Sequence, residues 1–166
     1  MFQDIISIKN QATLRRTIVL GDTYDRRIQL DASRHRYEDA KSLQRSGRWN
    51  GAIYLAGYAI ECSLKALICY EGCTNNLKET RIFKQGRQGA ALHNLGALRE
   101  ASIVLERAFR FDTDGKLKSA WTIIVGIWQK DALRYGQDLG HQAECERFLK
   151  AVEVLHHEIL KRQGEA

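Results

Sequence analysis

The sequence predicts an all-α protein: a single up-and-down bundle of about five helices, preceded by an N-terminal extension of uncertain structure. The 166-residue chain contains no proline, the residue that most often breaks helices. Apolar residues recur at helical spacing over most of the chain, and polar, glycine-containing segments separate the periodic stretches. The length suits one domain with one hydrophobic core.

Composition is typical of a soluble globular protein. Hydrophobic residues make up 44% of the chain and charged residues 28%, which argues against disordered, fibrous and membrane classes. We recognise no apolar run of about 20 residues and no signal peptide in residues 1–10, so we expect a cytoplasmic protein with no membrane contact. The net charge of +6 suits an anionic partner such as RNA or a nucleotide, but many of these bases can equally be solvated helix faces.

Residues 1–30 are assigned to the extension and residues 31–162 to the bundle. Within the extension, IISIK and TLRRTIVL fit short strands, while ATLRRTIVL fits an amphipathic helix equally well. Asp31 is the predicted N-cap of the first helix, and Gly47 is the predicted end.

The central helix is predicted over residues 46–72, and its apolar composition indicates that the other helices pack around it. Four polar residues fall at i, i+4, i+7 and i+11 and share one face, which we call the polar stripe: Tyr54, Tyr58, Glu61 and Lys65. Glu61 and Lys65 form either a simple exposed ion pair or, with the tyrosines, part of a groove or dimer seam.

Three more helices are predicted after a long polar connection over residues 74–91. The third spans about residues 91–109, the fourth is capped within Asp112–Asp114 and ends before Gly136, and the last runs from about His141 to Lys161. The predicted buried stripes are Leu117, Trp121, Ile124, Val125 and Trp128 on the fourth helix, and Cys145, Phe148, Leu149, Val152, Leu155 and Ile159 on the last.

The four cysteines are Cys62, Cys69, Cys73 and Cys145. The spacing of Cys69 and Cys73 could chelate a metal, but no histidine lies nearby in sequence, so burial as small hydrophobes is favoured. The chain also lacks a phosphate-cradling glycine loop, a nucleophile elbow and a helical zinc motif. We therefore expect neither a metal nor a cofactor.

Over about residues 31–161 the order of several residues resembles the HEPN domain family of helical bundles. The resemblance lies in an alanine-rich first helix ending in glycine, a polar and alanine pattern on the second, a histidine and leucine opening the third, and an Arg-Tyr pair before the last. The residues are Arg36, Tyr37, Ala40, Leu43 and Gly47; Ala52, Ala56, Ala59, Glu61, Lys65 and Ala66; His93 and Leu98; and Leu133, Arg134 and Tyr135.

This resemblance implies a homodimer that binds RNA or nucleotides. Many HEPN members are metal-independent ribonucleases, acting as toxins or in defence systems, and carry an arginine followed after four to six residues by a histidine. Arg134 and His141 enclose six residues, the longest spacing of that motif. Tyr135 stands where catalytic members commonly have a small polar residue, and non-catalytic members also carry an Arg-Tyr pair.

The resemblance assigns Arg134 as the phosphate clamp and His141 as the proton carrier, roles that suit a guanidinium and an imidazole. The start of the last helix also favours an anion. The alternative for Arg134 is an ion pair with Asp131, Asp138 or Glu61, and for His141 a surface position without a task.

The remaining candidates for RNA or nucleotide binding are Tyr54, Tyr58, Glu61, Lys65, His93 and Tyr135. His93 either contacts a nucleotide or, as is favoured, caps or packs its helix. These candidates fit two alternative functions. The protein is either an endoribonuclease, with a cognate antitoxin as its partner, or a non-catalytic module that docks a partner such as a nucleotidyltransferase.

Overall fold

The computed structural model describes residues 21–136 and 140–166, and the α-helical bundle predicted from sequence is confirmed within these ranges. The segments predicted as strands or helix within residues 1–20 lie outside the described residues. The described part contains two short 3-10 helices, Leu77–Glu79 and Gly89–His93, and eight α-helices: α1 Arg26–Arg45, α2 Trp49–Glu71, α3 Arg81–Lys84, α4 Leu95–Ala101, α5 Ile103–Arg110, α6 Lys116–Ile127, α7 Lys130–Tyr135 and α8 Gln142–Lys161.

The first helix begins earlier than predicted. Asp25 caps α1, because its carboxylate accepts hydrogen bonds from the backbone N–H groups of Arg27 and Ile28 at 2.8 and 3.2 Å. The choice of Asp31 as the cap was wrong, since the start is also fixed by a β-bridge between Asp25 and the distant Asn76. At the other end Gly47 has a φ of 70°, the left-handed conformation expected after a helix.

Helix α2 is the centre of the bundle and packs against α1, α4, α7 and α8. A side chain at Gly57 would collide with Trp128, because its Cβ would lie 2.0 Å from the indole Nε1. The absence of a side chain at Gly57 therefore lets Trp128 pack directly on α2. Among the described residues α2 alone is long and apolar enough to cross a membrane by length and composition, yet most of it is buried in the bundle.

The predicted third helix is two helices, α4 and α5, which meet at Ser102. The Ser102 hydroxyl caps α5 by accepting a hydrogen bond from the Leu105 N–H at 3.1 Å, and it donates one to the Glu71 carboxylate. Glu71 also accepts from the Ile103 N–H at 2.9 Å. The C-terminal end of α2 therefore helps to start α5, a contact that no local sequence pattern shows.

The predicted fourth helix is likewise divided, into α6 and α7, at Trp128 and Gln129. Ile124 and Trp128 are buried as expected, but Val125 is 42% exposed, so its place in the buried stripe was wrong. The aspartates before α6 accept hydrogen bonds from its first turn, Asp114 from the Lys116 N–H and Asp112 from the Lys118 N–H.

The last helix matches its prediction. α8 begins after His141, ends at Lys161, and buries all six of the predicted apolar residues: Cys145, Phe148, Leu149, Val152, Leu155 and Ile159. The long polar connection after α2 contains α3 and both 3-10 helices. It brings His93 to the polar stripe of α2.

Candidate functional site

The polar stripe of α2 divides between two clusters of side chains. Tyr54 and Tyr58 contact Arg134 of α7, whereas Glu61 contacts both Lys65 and His93. We name these the arginine cluster and the Glu61 cluster.

In the arginine cluster, the guanidinium of Arg134 is held by hydroxyl groups. Its Nε and Nη2 donate to the Tyr54 hydroxyl at 2.9 and 2.7 Å, and Nη2 also donates to the Tyr58 hydroxyl at 3.3 Å. The guanidinium carbon lies 5.6 Å from the Tyr54 ring centre and 5.7 Å from that of Tyr135, within the range of cation–π attraction. Arg134 is exposed, and Tyr135 is 73% exposed.

Trp128 packs against the two tyrosines of the arginine cluster. Its ring meets Tyr58 edge to face at 5.3 Å, and its indole N–H donates to the Tyr54 carbonyl oxygen at 3.2 Å. The tyrosine rings also meet edge to face, 4.9 Å apart. Because Trp128 packs on Gly57, the tyrosines that hold Arg134 are fixed to the bundle core.

The arginine cluster is positively charged, because no described carboxylate pairs with Arg134. Neither Asp131 nor Glu61 makes the ion pair that we considered as the alternative, and Asp138 lies outside the described residues. The adjoining Tyr135 and Tyr54 hydroxyls raise the pKa of Arg134 further above its usual range. The hydrogen bond between Tyr54 and Tyr58, and then the hydrogen bonds and charge of Arg134, lower the pKa of the Tyr54 phenol.

In the Glu61 cluster, the carboxylate is 1% exposed. Oε1 lies 2.8 Å from Lys65 Nζ and 2.7 Å from His93 Nδ1, and Oε2 is buried without a hydrogen-bond partner in the described structure. Lys65 is also buried. The interpretation of Glu61 and Lys65 as an exposed ion pair was therefore wrong.

His93 occupies the end of the second 3-10 helix, with its side chain 47% exposed. It does not cap α4, because Asn94 does so by accepting from the Ala97 N–H at 3.0 Å. Lys130 at the start of α7 donates to the His93 carbonyl oxygen at 2.7 Å. His93 lines a cleft of about 540 Å³ with Trp128 and Lys130, and a second cavity of about 310 Å³ on the Glu61 side.

His141 is exposed at the start of α8. Its carbonyl oxygen accepts from the Cys145 N–H at 3.0 Å, but its side chain does not cap the helix. The preceding Gly140 lies against Asn50 in the first turn of α2, where a Cβ would come within 2.2 Å of the Asn50 Oδ1. Within the described residues no hydrogen bond joins His141 to Arg134, and the chain between them includes residues 137–139, which lie outside the description.

No cluster of three or more metal-ligating side chains is found in residues 21–136 and 140–166. Cys69 is buried and Cys73 is exposed. Burial raises the pKa of the Cys69 thiol to about 12 and that of Cys145 to about 11, which keeps both thiols protonated.

Two contributors to this surface were missed from sequence, Trp128 as a support and Lys130 as a second cation. The i, i+4 spacing of Lys130 and Arg134 is a signal that could have placed both on one face of a helix. The contact of Glu61 with His93 had no such signal, because the residues are 32 positions apart. Comparison with protein-family models, with curated proteins and with solved structures gives no match, so function is inferred from the geometry of these clusters.

Proposed function

We propose that this chain is a HEPN-like protein that binds RNA across the arginine cluster and cleaves it without a metal ion. The observation that carries the proposal is the state of Arg134, which is exposed and, among the residues that the structure describes, is held by phenol hydroxyls rather than by a carboxylate. An arginine held in this way keeps its full positive charge and a fixed orientation. Both properties favour recognition of a phosphate group.

The aromatic side chains favour single-stranded RNA as the ligand. Tyr135 offers an exposed ring beside the guanidinium, and bases of unpaired RNA stack on such rings. Lys130 lies one helical turn before Arg134 and adds a second cation for the phosphate backbone. Two cations and one exposed ring on α7 suit a polymer of bases and phosphates.

The chemistry follows from the residue types. Arg134 holds the phosphate while the ribose 2′-oxygen attacks the adjacent phosphorus and the bond from phosphorus to the 5′-oxygen breaks, and His141 carries a proton in this step. The N-terminal end of the 20-residue helix α8 adds positive potential beside His141. We further propose that two copies form a cytoplasmic homodimer in which both arginine clusters face one RNA, with an antitoxin as the natural inhibitor.

The test is cleavage of a dye-labelled oligoribonucleotide in the presence of EDTA, together with its binding by fluorescence anisotropy. We expect Arg134→Ala to weaken binding at least tenfold and to abolish cleavage, and His141→Ala to abolish cleavage with binding retained. Arg110→Ala, an exposed arginine on α5, is the matched control and should change neither. Cleavage that requires a divalent metal, or full activity of the Arg134 variant, would reject the proposal.

A second candidate function is a non-catalytic module that docks a partner protein such as a nucleotidyltransferase. The favouring observation is a groove of about 720 Å³ between α5, α6 and α8, into which two exposed apolar residues project, Phe111 (71% exposed) and Val154 (38%). This candidate predicts a stable complex in size-exclusion chromatography that Phe111→Ser disrupts, and no RNA turnover by the purified chain.

A further inference from the structure

The two ring nitrogens of His93 have different surroundings. Nδ1 lies 2.7 Å from Glu61 Oε1, whereas no described residue makes a hydrogen bond to Nε2. A carboxylate can only accept, so this bond places the proton of the neutral imidazole on Nδ1 and leaves a lone pair on Nε2. A carboxylate behind one nitrogen and an open second nitrogen is the arrangement that orients histidine as a general base.

Glu61 is fixed more firmly than an exposed carboxylate would be. It is 1% exposed, lies within α2, and accepts a hydrogen bond from the Lys65 ammonium, 2.8 Å from the same oxygen that contacts His93. Burying this charge is costly, and no residue in the described part of the chain makes a hydrogen bond to Oε2 that would offset the cost. Stability alone therefore does not account for this buried carboxylate, whereas a role in orienting the His93 ring does.

Helix α2 shows where His93 lies relative to Arg134. Arg134 binds Tyr54 and Tyr58; Glu61, which holds His93, is three residues beyond Tyr58, a rise of about 4.5 Å along the helix. Asn50, which Gly140 contacts, is four residues before Tyr54, a rise of about 6 Å. The chain next to His141 and the His93 side chain therefore contact α2 on either side of the two tyrosines that hold Arg134.

The exposed side of His93 opens into the same surface that holds the cations of α7. It lines the cleft of about 540 Å³ with Trp128 and Lys130, and Lys130 is tied to the His93 carbonyl oxygen. Trp128 in turn supports Tyr58, which binds Arg134. A ribonucleotide whose phosphate contacts Lys130 would thus lie against the cleft that His93 lines.

We propose that His93 is the general base of this surface, with Glu61 as its positioning residue and His141 as the general acid. The inference rests on the proposed cleavage of RNA. His93 Nε2 takes the 2′-hydroxyl proton, the 2′-oxygen forms a bond to the adjacent phosphorus, and the bond from phosphorus to the 5′-oxygen breaks. His141, in its imidazolium form, gives its proton to that 5′-oxygen. The products are a 2′,3′-cyclic phosphate and a 5′-hydroxyl, and solvent returns both histidines to their starting states.

The first test is His93→Asn, since the asparagine amide can still donate to Glu61 but has no nitrogen that accepts a proton. We expect kcat for RNA cleavage in EDTA to fall at least 100-fold, as is typical for loss of a general base, with RNA affinity changed less than threefold. The acidic limb of the pH–rate profile should disappear. His35→Asn, an exposed histidine on α1, is the matched control and should keep wild-type activity.

Two further variants distinguish a loss of catalysis from a loss of folding. His93→Gly should regain at least tenfold of its lost rate when imidazole is added, a recovery that a purely structural role would not give. Glu61→Gln should lower kcat about tenfold or more with KM unchanged and should move the acidic limb of the pH profile. Melting temperatures of all variants establish that the proteins are folded.

The outcomes distinguish the inference from the proposed function. Wild-type cleavage with an unaffected His93→Asn variant would overturn the role of His93 and leave the arginine cluster and His141 in place. Absence of cleavage by the wild-type protein would overturn both. Loss of activity in His93→Asn without rescue of the glycine variant, and without a change in the pH profile, would assign His93 a structural task and would also overturn the inference.

Discussion

His93 and His156 each contact a polar side chain of a neighbouring helix, but their surroundings are opposite. His156 of α8 is 5% exposed, with Nε2 3.3 Å from the Ser33 hydroxyl of α1 and its ring 5.2 Å from Tyr37. His93 is half-exposed, and its partner is a buried carboxylate. Both residues line a pocket, but the His93 side chain is 47% exposed there, whereas His156 stays almost fully buried beside its own.

The surroundings of His156 also determine its charge. Burial first, and then the positive charges of Arg34, His157 and Lys41, lower the pKa of His156 to about 4. His156 is therefore neutral at pH 7 and contributes packing between α1 and α8. Both histidines have a defined position, so position alone does not identify a catalytic candidate. The nature of the histidine's partner and its access to solvent distinguish a catalytic candidate from a core residue.

The largest expected effect on stability comes from breaking the buried ion pair between Lys65 and Glu61, the carboxylate that contacts His93. Lys65→Met should lower the free energy of unfolding by about 3–5 kcal/mol, because Glu61 would remain buried without its ammonium partner. Urea denaturation measures this change. Lys41→Met, which removes a more exposed partner of Glu38, is the control and should cost no more than about 1 kcal/mol. Equal losses in the two variants would show that burial does not distinguish the pairs.

The next effect is the pH dependence contributed by His156. Its folded-state pKa of about 4 lies below the ordinary 6.5, so protons bind more tightly to the unfolded chain. Its contribution is complete above pH 6.5, falls as the pH drops towards 4 and then levels off, for a total of about 3 kcal/mol. Unfolding measured across this window should show a shallower slope in His156→Leu than in the wild type. Parallel slopes would contradict the lowered pKa.

A smaller loss is expected when the hydrogen-bond partner of His156 is removed. Ser33→Ala should lower stability by about 1 kcal/mol, because the buried Nε2 loses its partner. Ser42→Ala, an exposed serine on the same helix, removes a comparable bond to a backbone carbonyl and should have almost no effect. Chemical denaturation of both variants gives the difference, and a larger loss for Ser42 would count against this account of the α1–α8 contact.

The smallest expected effect on stability is that of His93→Asn, within about 0.5 kcal/mol, since the site is half-exposed and the amide keeps a bond to Glu61. Thermal unfolding measures it. A loss comparable to that of Lys65→Met would make His93 a structural residue like His156 and would remove the contrast between the two.

Where hydrophobic periodicity was strong, the fold could be predicted closely. All six apolar positions expected on α8 are buried, and Gly47 ends α1 as predicted. The division of the third helix at Ser102 could not be predicted, because Glu71 stabilises the start of α5 from another helix. The start of α1 was misplaced for a similar reason, since Asp25 and Asp31 offer the same capping chemistry and a distant strand-like contact favours the first.

The candidate site was predicted in part. Helical spacing placed the polar stripe on one face, and two members of that stripe, Tyr54 and Tyr58, contact Arg134. The burial of Glu61 and its bond to His93 could not be predicted, because they depend on the path of a long connection. RNA binding, dimer formation and the cytoplasmic location remain predictions.

Because Trp128 packs against Gly57, the protein has an internal fluorophore next to its candidate site. The chain has three tryptophans, and replacing Trp49 and Trp121 with phenylalanine would leave the emission of Trp128 alone. This indole is 7% exposed, touches Tyr58 and has the Lys130 ammonium 5.1 Å from its ring. A ligand that draws Lys130 or Arg134 away would change its emission, so occupancy could be followed in real time on unlabelled protein.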